Sequence, residues 1–182
     1  MKKTILLIHT GGTISMQVNE ELGAVVPNDI NPLIVESKKL DQYANIVELE
    51  AFNLPSPHMT PFEMLKLKNI ILEAISKQTI DGVVITHGTD TLEETAFFLD
   101  LTTNLDIPIV LTGAMRSSNE LGADGVYNLV EAIRVAISDE ARDKGVLVVM
   151  NDEIHAAANV TKTSTSICLF PPFESLSVVI HN

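Results

Sequence analysis

Six short stretches hold the residue types that acyl chemistry needs. His9 to Ser15 reads HTGGTIS and sets Thr10 and Thr13 around Gly11 and Gly12. Thr86 to Thr91, THGTDT, puts the Thr89 hydroxyl beside the Asp90 carboxylate. TGAMRSSNE begins at Thr112, NDEIH begins at Asn151, NVTKTST carries Lys162, and NLPSPHMTP places Ser56 between two prolines. A hydroxyl becomes a nucleophile when a neighbouring group takes its proton. A carboxylate and a hydroxyl at a strand end, next to backbone donors, also suit a developing oxyanion. A lysine near such hydroxyls acts as a base only in its neutral form, which burial or a second cation favours and a carboxylate opposes.

Each stretch also has a plainer reading. Gly11 and Gly12 allow an unusual turn, with Thr10 and Thr13 as turn residues. HTGGTIS lacks the G-x-G-x-x-G spacing and the P-loop lysine, so it makes only a weak case for a nucleotide. Thr89, Asp90 or Thr91 can cap a following helix. Lys162 reads locally as a solvated charge, and Ser56 as a loop residue that could also meet a substrate carboxylate near a helix N-terminus. His87 reads as a turn or core histidine. The five histidines show no ligand spacing and Cys168 stands alone, so no catalytic metal is expected.

These stretches must be positioned by the elements between them. Apolar, β-branched runs at Thr4 to Ile8, Gly82 to Ile85, Ile107 to Leu111 and Val146 to Met150 read as strands, and Ile46 to Phe52 as a more alternating one. Thr60, Pro61 and Glu63 form an N-cap, first-turn proline and capping-box partner, followed by Met64, Leu67, Ile71 and Ile75 at helical spacing. A second helix is predicted after Asp90 or Thr91, with Glu93 and Glu94 at the capping distance. A third spans Gly125 to Ser138, with Val126, Leu129, Val130, Ile133 and Ile137 inward. Apolar strands alternating with amphipathic helices predict an α/β fold: three layers, α/β/α, around a mostly parallel sheet. Ligands bind at the carboxyl ends of such strands, so the distant stretches can share one pocket.

At 182 residues the chain is one domain's worth. Its net charge of -12, from 24 acidic against 12 basic residues, and its lack of a basic cluster argue against a nucleic-acid partner. Lys2 and Lys3 imitate the start of a signal peptide. The apolar run stops at His9, however, short of the ~7 to 15 residues such a peptide uses. No segment reaches the roughly 20 apolar residues of a membrane span. A cytoplasmic, reducing setting is the expectation, since Cys168 has no partner for an internal disulfide.

TGGTIS at Thr10 to Ser15, with ITHGTDTLEET at Ile85 to Thr95, closely resembles the two signature stretches of bacterial-type L-asparaginases and related glutaminases. LTGAMRSSNELGADGVYNL at Leu111 to Leu129 and NDEIHAAANVTKTST at Asn151 to Thr165 extend the likeness in the same order. It covers residues 1–166 and corresponds to that family's larger, N-terminal domain. The resemblance implies that Thr13 is the nucleophile on the side-chain amide. Thr89, Lys162 and Asp90 would form a second triad that activates it or the hydrolytic water. Asp90 would also hold the substrate's α-ammonium, Ser56 its α-carboxylate, and the Ala114 carbonyl would face the leaving amide. It further implies L-asparagine or L-glutamine as substrate, no cofactor, and a homo-oligomer.

Three departures accompany the likeness. Ala24 to Val26 lie where the family's mobile loop carries a tyrosine that assists the nucleophile, and Pro57 replaces a glutamine that usually follows the substrate-binding serine. Residues 167–182 read as an atypical tail in place of the family's C-terminal domain, so a preserved scaffold with weak or absent activity is expected. A noncatalytic amino-acid-binding or assembly module, or the amidase subunit of a transfer-RNA-dependent amidotransferase, are the alternatives.

Overall fold

A computed structural model describes residues 2–19, 24–27 and 40–163. Among them, a six-stranded sheet runs in the order β4-β1-β5-β6-β7-β8. The strands are β1 (Thr4–Gly11), β4 (Asn45–Leu54), β5 (Gly82–Thr86), β6 (Ile109–Thr112), β7 (Val146–Met150) and β8 (Glu153–Ala156). Every neighbouring pair from β4 to β7 is parallel, and only β8 turns back antiparallel. The three-layer α/β/α expectation therefore holds, with one antiparallel edge strand. A separate antiparallel ribbon joins β2 (Met16–Asn19) to β3 (Ala24–Pro27). The region read from sequence as the loop of Ala24 to Val26 is thus strand.

Both faces of the sheet are covered, which is why its strands read as unbroken apolar runs. Leu6, Ile8, Val83, Ile85, Leu111 and Val148 face helices α1 (Pro61–Lys77) and α2 (Leu92–Thr102), meeting Leu67, Ile71, Ala96 and Leu99. Ile5, Leu7, Val84, Val110, Leu147 and Val149 face helix α3 (Gly125–Ala136), meeting Leu129, Ala132 and Ile133. Each such aliphatic side chain contributes roughly 1.5 to 3 kcal/mol of burial free energy. The inward face assigned to the third helix needs one correction: Val126 is 43% exposed, because the buried stripe runs through Gly125, Asn128 and Leu129 instead.

The capping box of Thr60 and Glu63 forms as predicted, with Pro61 in the first turn. α2 begins after Thr91, but no side chain caps it. The Thr91 hydroxyl donates instead to the Ser56 carbonyl at 2.7 Å, and that bond leads into the site. Among the described residues no helix is long and apolar enough to cross a membrane. Cys168 and the tail 167–182 lie outside the described residues.

Candidate active site

The carboxyl ends of β1, β4 and β5 are brought together by glycines. β1 ends at Gly11 and the chain continues through Gly12, at φ of 99° and 84°, a region that residues other than glycine rarely adopt. A Cβ on Gly11 would sit 2.5 Å from the Leu54 backbone at the end of β4, and one on Gly12 would sit 2.3 Å from the Gly88 Cα beyond β5. A Cβ on Gly88 would in turn meet the Ser56 Cβ at 2.5 Å. Three chain segments are therefore in bare backbone contact. They carry Thr13, Ser56 and the pair Thr89 and Asp90.

Thr13 opens a 3-10 turn, Thr13–Ser15, which closes on Gly12: the Ser15 amide donates to the Gly12 carbonyl at 3.0 Å. The adjacent Ile14 is buried in the core alongside Ala114 and anchors the turn from below. Thr10 is structural, its hydroxyl donating to the Thr86 carbonyl at 2.9 Å.

Ser56 starts a 3-10 turn, Ser56–His58, and is buried. Its hydroxyl accepts from the Asp90 amide at 3.3 Å and donates to Asp90 Oδ2 at 3.4 Å. Thr89 is buried, with its Cγ2 methyl against Gly113, while the Asp90 side chain is 59% exposed and open to a ligand. Lys162 reaches in from the far edge of the sheet. Its ammonium donates to Thr89 Oγ1 at 3.0 Å and to Asp90 Oδ1 at 2.7 Å, so it is not the solvated charge that its local sequence suggested.

The sequence reading missed the residues that hold these groups. Glu93, in the first turn of α2, does not close a capping box; its carboxylate accepts from the Lys162 amide and from the Thr161 hydroxyl. Asp124 accepts from the amides of Met115 and Arg116, at 3.1 and 3.0 Å, and so shapes the loop after β6. Asn128, fully buried, donates to the Gly113 carbonyl at 3.0 Å and accepts from the Asn151 amide at 3.3 Å, joining the ends of β6 and β7. Ala114 is buried between these anchors. The only local signal for this support was a polar residue at an otherwise apolar helix position.

His87 lies below the site and is wholly buried. Its Nδ1–H donates to the Gly88 carbonyl at 2.8 Å, and since a carbonyl only accepts, Nε2 is left bare to accept from the Thr95 hydroxyl at 3.0 Å. Burial pushes its pKa down to about 4, so the ring is neutral at physiological pH. Among the described residues no three His, Cys, Asp or Glu side chains gather to hold a metal.

Residues 4–177 match the family model described as the asparaginase N-terminal domain. The glutaminase-asparaginase of Acinetobacter glutaminasificans is 42% identical over 165 residues, covering 88% of this chain and 50% of that protein. A probable L-asparaginase 4 of Schizosaccharomyces pombe is 42% identical over 97% of this chain and 52% of its own length. The crystal structure of a probable cytoplasmic L-asparaginase from Campylobacter jejuni superposes with a TM-score of 0.82 at 40% identity, covering 92% of this chain and 50% of that one. The chain thus spans about half the length of the relatives it matches.

Proposed function

Because the chain belongs to the asparaginase family, we propose that it carries the amide-hydrolysing centre of an L-asparaginase, converting L-asparagine and water to L-aspartate and ammonia. The observation that carries this reading is the Lys162 ammonium shared between Thr89 and Asp90, beside the Gly12–Gly88 contact that brings the Thr13 turn alongside.

In this reading the Thr13 hydroxyl oxygen bonds to the side-chain amide carbon of asparagine. The tetrahedral intermediate expels ammonia as the C–N bond breaks, and an ester to Thr13 remains. Water adds to that ester, the C–O bond to Thr13 breaks, and aspartate leaves with the hydroxyl restored. The proton that leaves the Thr13 hydroxyl ends on the departing ammonia, and in the second step one proton of the water returns to Thr13. Thr89, hydrogen-bonded to the Lys162 ammonium that Asp90 also holds, is the second hydroxyl through which these protons pass, a triad logic found on other folds. Asp90 holds the substrate's α-ammonium, Ser56 its α-carboxylate, and the Ala114 carbonyl the leaving amide. Two arrangements support those assignments: Asp90 is exposed next to buried Ser56, and Ala114 is fixed by the loop that Asp124 ties down. No cofactor takes part. L-glutamine is the alternative substrate, suggested by the relative named glutaminase-asparaginase. A homo-oligomer in the cytoplasm completes the reading; the Campylobacter jejuni protein named as cytoplasmic supports the compartment.

Ammonia release from asparagine tests the proposal in the full chain, in Thr13→Ala and in Lys162→Met. Turnover lost in both variants supports it. Equal turnover in all three refutes the roles of Thr13 and Lys162, and calorimetric binding of aspartate with no turnover in any of them favours an amino-acid-binding module.

A further inference from the structure

One side chain beneath the site joins its own strand to both neighbours. His9, on β1, is 1% exposed; its Nε2 lies 2.8 Å from Glu48 Oε1 on β4, and its Nδ1 lies 2.8 Å from Thr86 Oγ1 on β5. The Glu48 carboxylate takes the hydrogen of Nε2, which leaves Nδ1 bare to accept from the Thr86 hydroxyl. A hydroxyl, an imidazole and a carboxylate in that order have the form of a nucleophilic relay. Thr86, however, is fully buried, and no substrate can reach its oxygen. The arrangement must serve some other end.

Its position indicates which. His9 pairs with Thr86 at the last β1–β5 rung, where the Thr10 hydroxyl also bonds the Thr86 carbonyl. On the other side, the β1–β4 register slips from His9–Glu50 to Gly11–Leu54 immediately afterwards. Below this level the side chains of β1 from Ile5 to Ile8 are aliphatic, and the directional bonds between the strands are those of the backbone ladder. Above it the chain leaves the sheet in the turns that bear Ser56, Thr13 and Thr89, where Gly11 packs on Leu54 and Gly12 on Gly88. The imidazole thus links β4 and β5 through one side chain of β1 at the level where the site begins, next to the Thr10–Thr86 bond.

We propose that His9 is a positioning residue of this centre, clamping β4 to β5 across β1 so that the turns bearing Ser56, Thr13 and Thr89 keep their spacing. The inference rests on the asparaginase reading for its kinetic consequence, though not for the clamp itself. Glu48 and Glu50 on β4 are the charged groups that act on the ring, and both favour its protonation; Thr86 on β5 carries no charge. Burial outweighs them and holds the His9 pKa below its ordinary value. The neutral ring keeps its two bonds in fixed, opposite directions.

The full chain, His9→Leu, His9→Gln and Thr86→Val provide the test. Nitrogen NMR of the wild-type imidazole should show Nε2 protonated and Nδ1 bare. In His9→Leu the backbone amide resonances of Gly12, Gly88 and Ser56 should move, and kcat on asparagine should fall roughly tenfold or more with a smaller change in KM, because small misplacements are costly in catalysis. His9→Gln, which keeps a donor toward Glu48, should recover part of the loss. Thr86→Val removes a single bond of the clamp and replaces His9→Leu should that variant not fold. Wild-type amide positions and wild-type kinetics in His9→Leu or Thr86→Val overturn the proposal. Should the unmodified chain neither turn over asparagine nor bind aspartate, the asparaginase reading fails instead, and the clamp is judged on the imidazole and amide resonances alone.

Discussion

The Lys162 ammonium lies 3.0 Å from the Thr89 hydroxyl, although 73 positions separate the two residues. Only this contact gives the lysine a chemical partner in the hydroxyl, and only the lysine distinguishes Thr89 from an ordinary strand-end threonine. Removing either is expected to slow ammonia release about a hundredfold or more, the usual range for a lost proton-transfer partner. The double variant Lys162→Met with Thr89→Val should be little worse than the worse single one, since groups that act as a unit are not additive. Steady-state kinetics of the four proteins measure this; fully additive losses would mean that the two residues act separately.

Glu93 offers a second test, because it touches Lys162 only through the main chain. Its carboxylate accepts from the Lys162 amide and the Thr161 hydroxyl, and so sets where the lysine stem starts. Glu93→Ala is expected to lower kcat by about tenfold with a smaller change in KM, through misplacement of Nζ. Glu93→Gln keeps one acceptor oxygen and should fall in between. An unchanged kcat in Glu93→Ala would show that the 161–162 segment is held by other contacts.

Gly12→Ala places a methyl group 2.3 Å from the Gly88 Cα at a φ of 84°, and neither neighbour is a flexible side chain that can swing away. Strain and overpacking together are expected to cost roughly 2 to 4 kcal/mol of stability. The two turns must also separate, so aspartate binding should weaken with it. Urea unfolding and calorimetry measure the two effects. A variant with wild-type stability would contradict the backbone contact described between β1 and β5.

His87 gives the protein a pH dependence of stability. In the unfolded chain its pKa is near 6.5, and in the fold it is held at about 4 by burial. The native state is then the one that resists protonation, so this contribution is fully present above pH 6.5, is lost as the pH falls towards about 4, and is constant below that. The loss is at most about 3 kcal/mol. His87→Gln should flatten the difference in urea midpoint between pH 7 and pH 5; an equally steep fall in the variant would assign it to other groups.

Much of this architecture is legible in the sequence because it is local. A strand covered on both faces is a continuous apolar run, and Val146 to Met150 is found as read. A capping box is three residues of arithmetic, and Thr60 and Glu63 obey it. Where the two differ, contacts from far along the chain decide. β6 begins at Ile109, not Ile107, since Pro108 has no N–H to give the ladder and contributes only its carbonyl, to Val83. Thr91 does not cap α2 because Ser56 takes its hydroxyl. The return into β8 has a local cause: Asn151 and Asp152, both at positive φ, form a two-residue turn between Met150 and Glu153. The side chains of the site were each visible, but the positioning parts of Glu93, Asn128 and His9 were not, since their partners lie far away in sequence.

The place of β1 in the sheet bears on how the chain is made. Its two neighbours are β4, whose pairing begins at Asn45, and β5, whose pairing begins at Gly82, so no adjacent element in sequence can satisfy it. On the ribosome, the apolar strand of Ile5 to Ile8 emerges well before its β5 partner and waits with an open edge until Thr86 has been synthesised. Such non-local parallel pairing folds slowly and leaves an adhesive strand exposed meanwhile. The turn that carries Thr13 is therefore synthesised long before the segments that surround it: Thr89 follows only after β5, and Lys162 only after the last strand of the sheet.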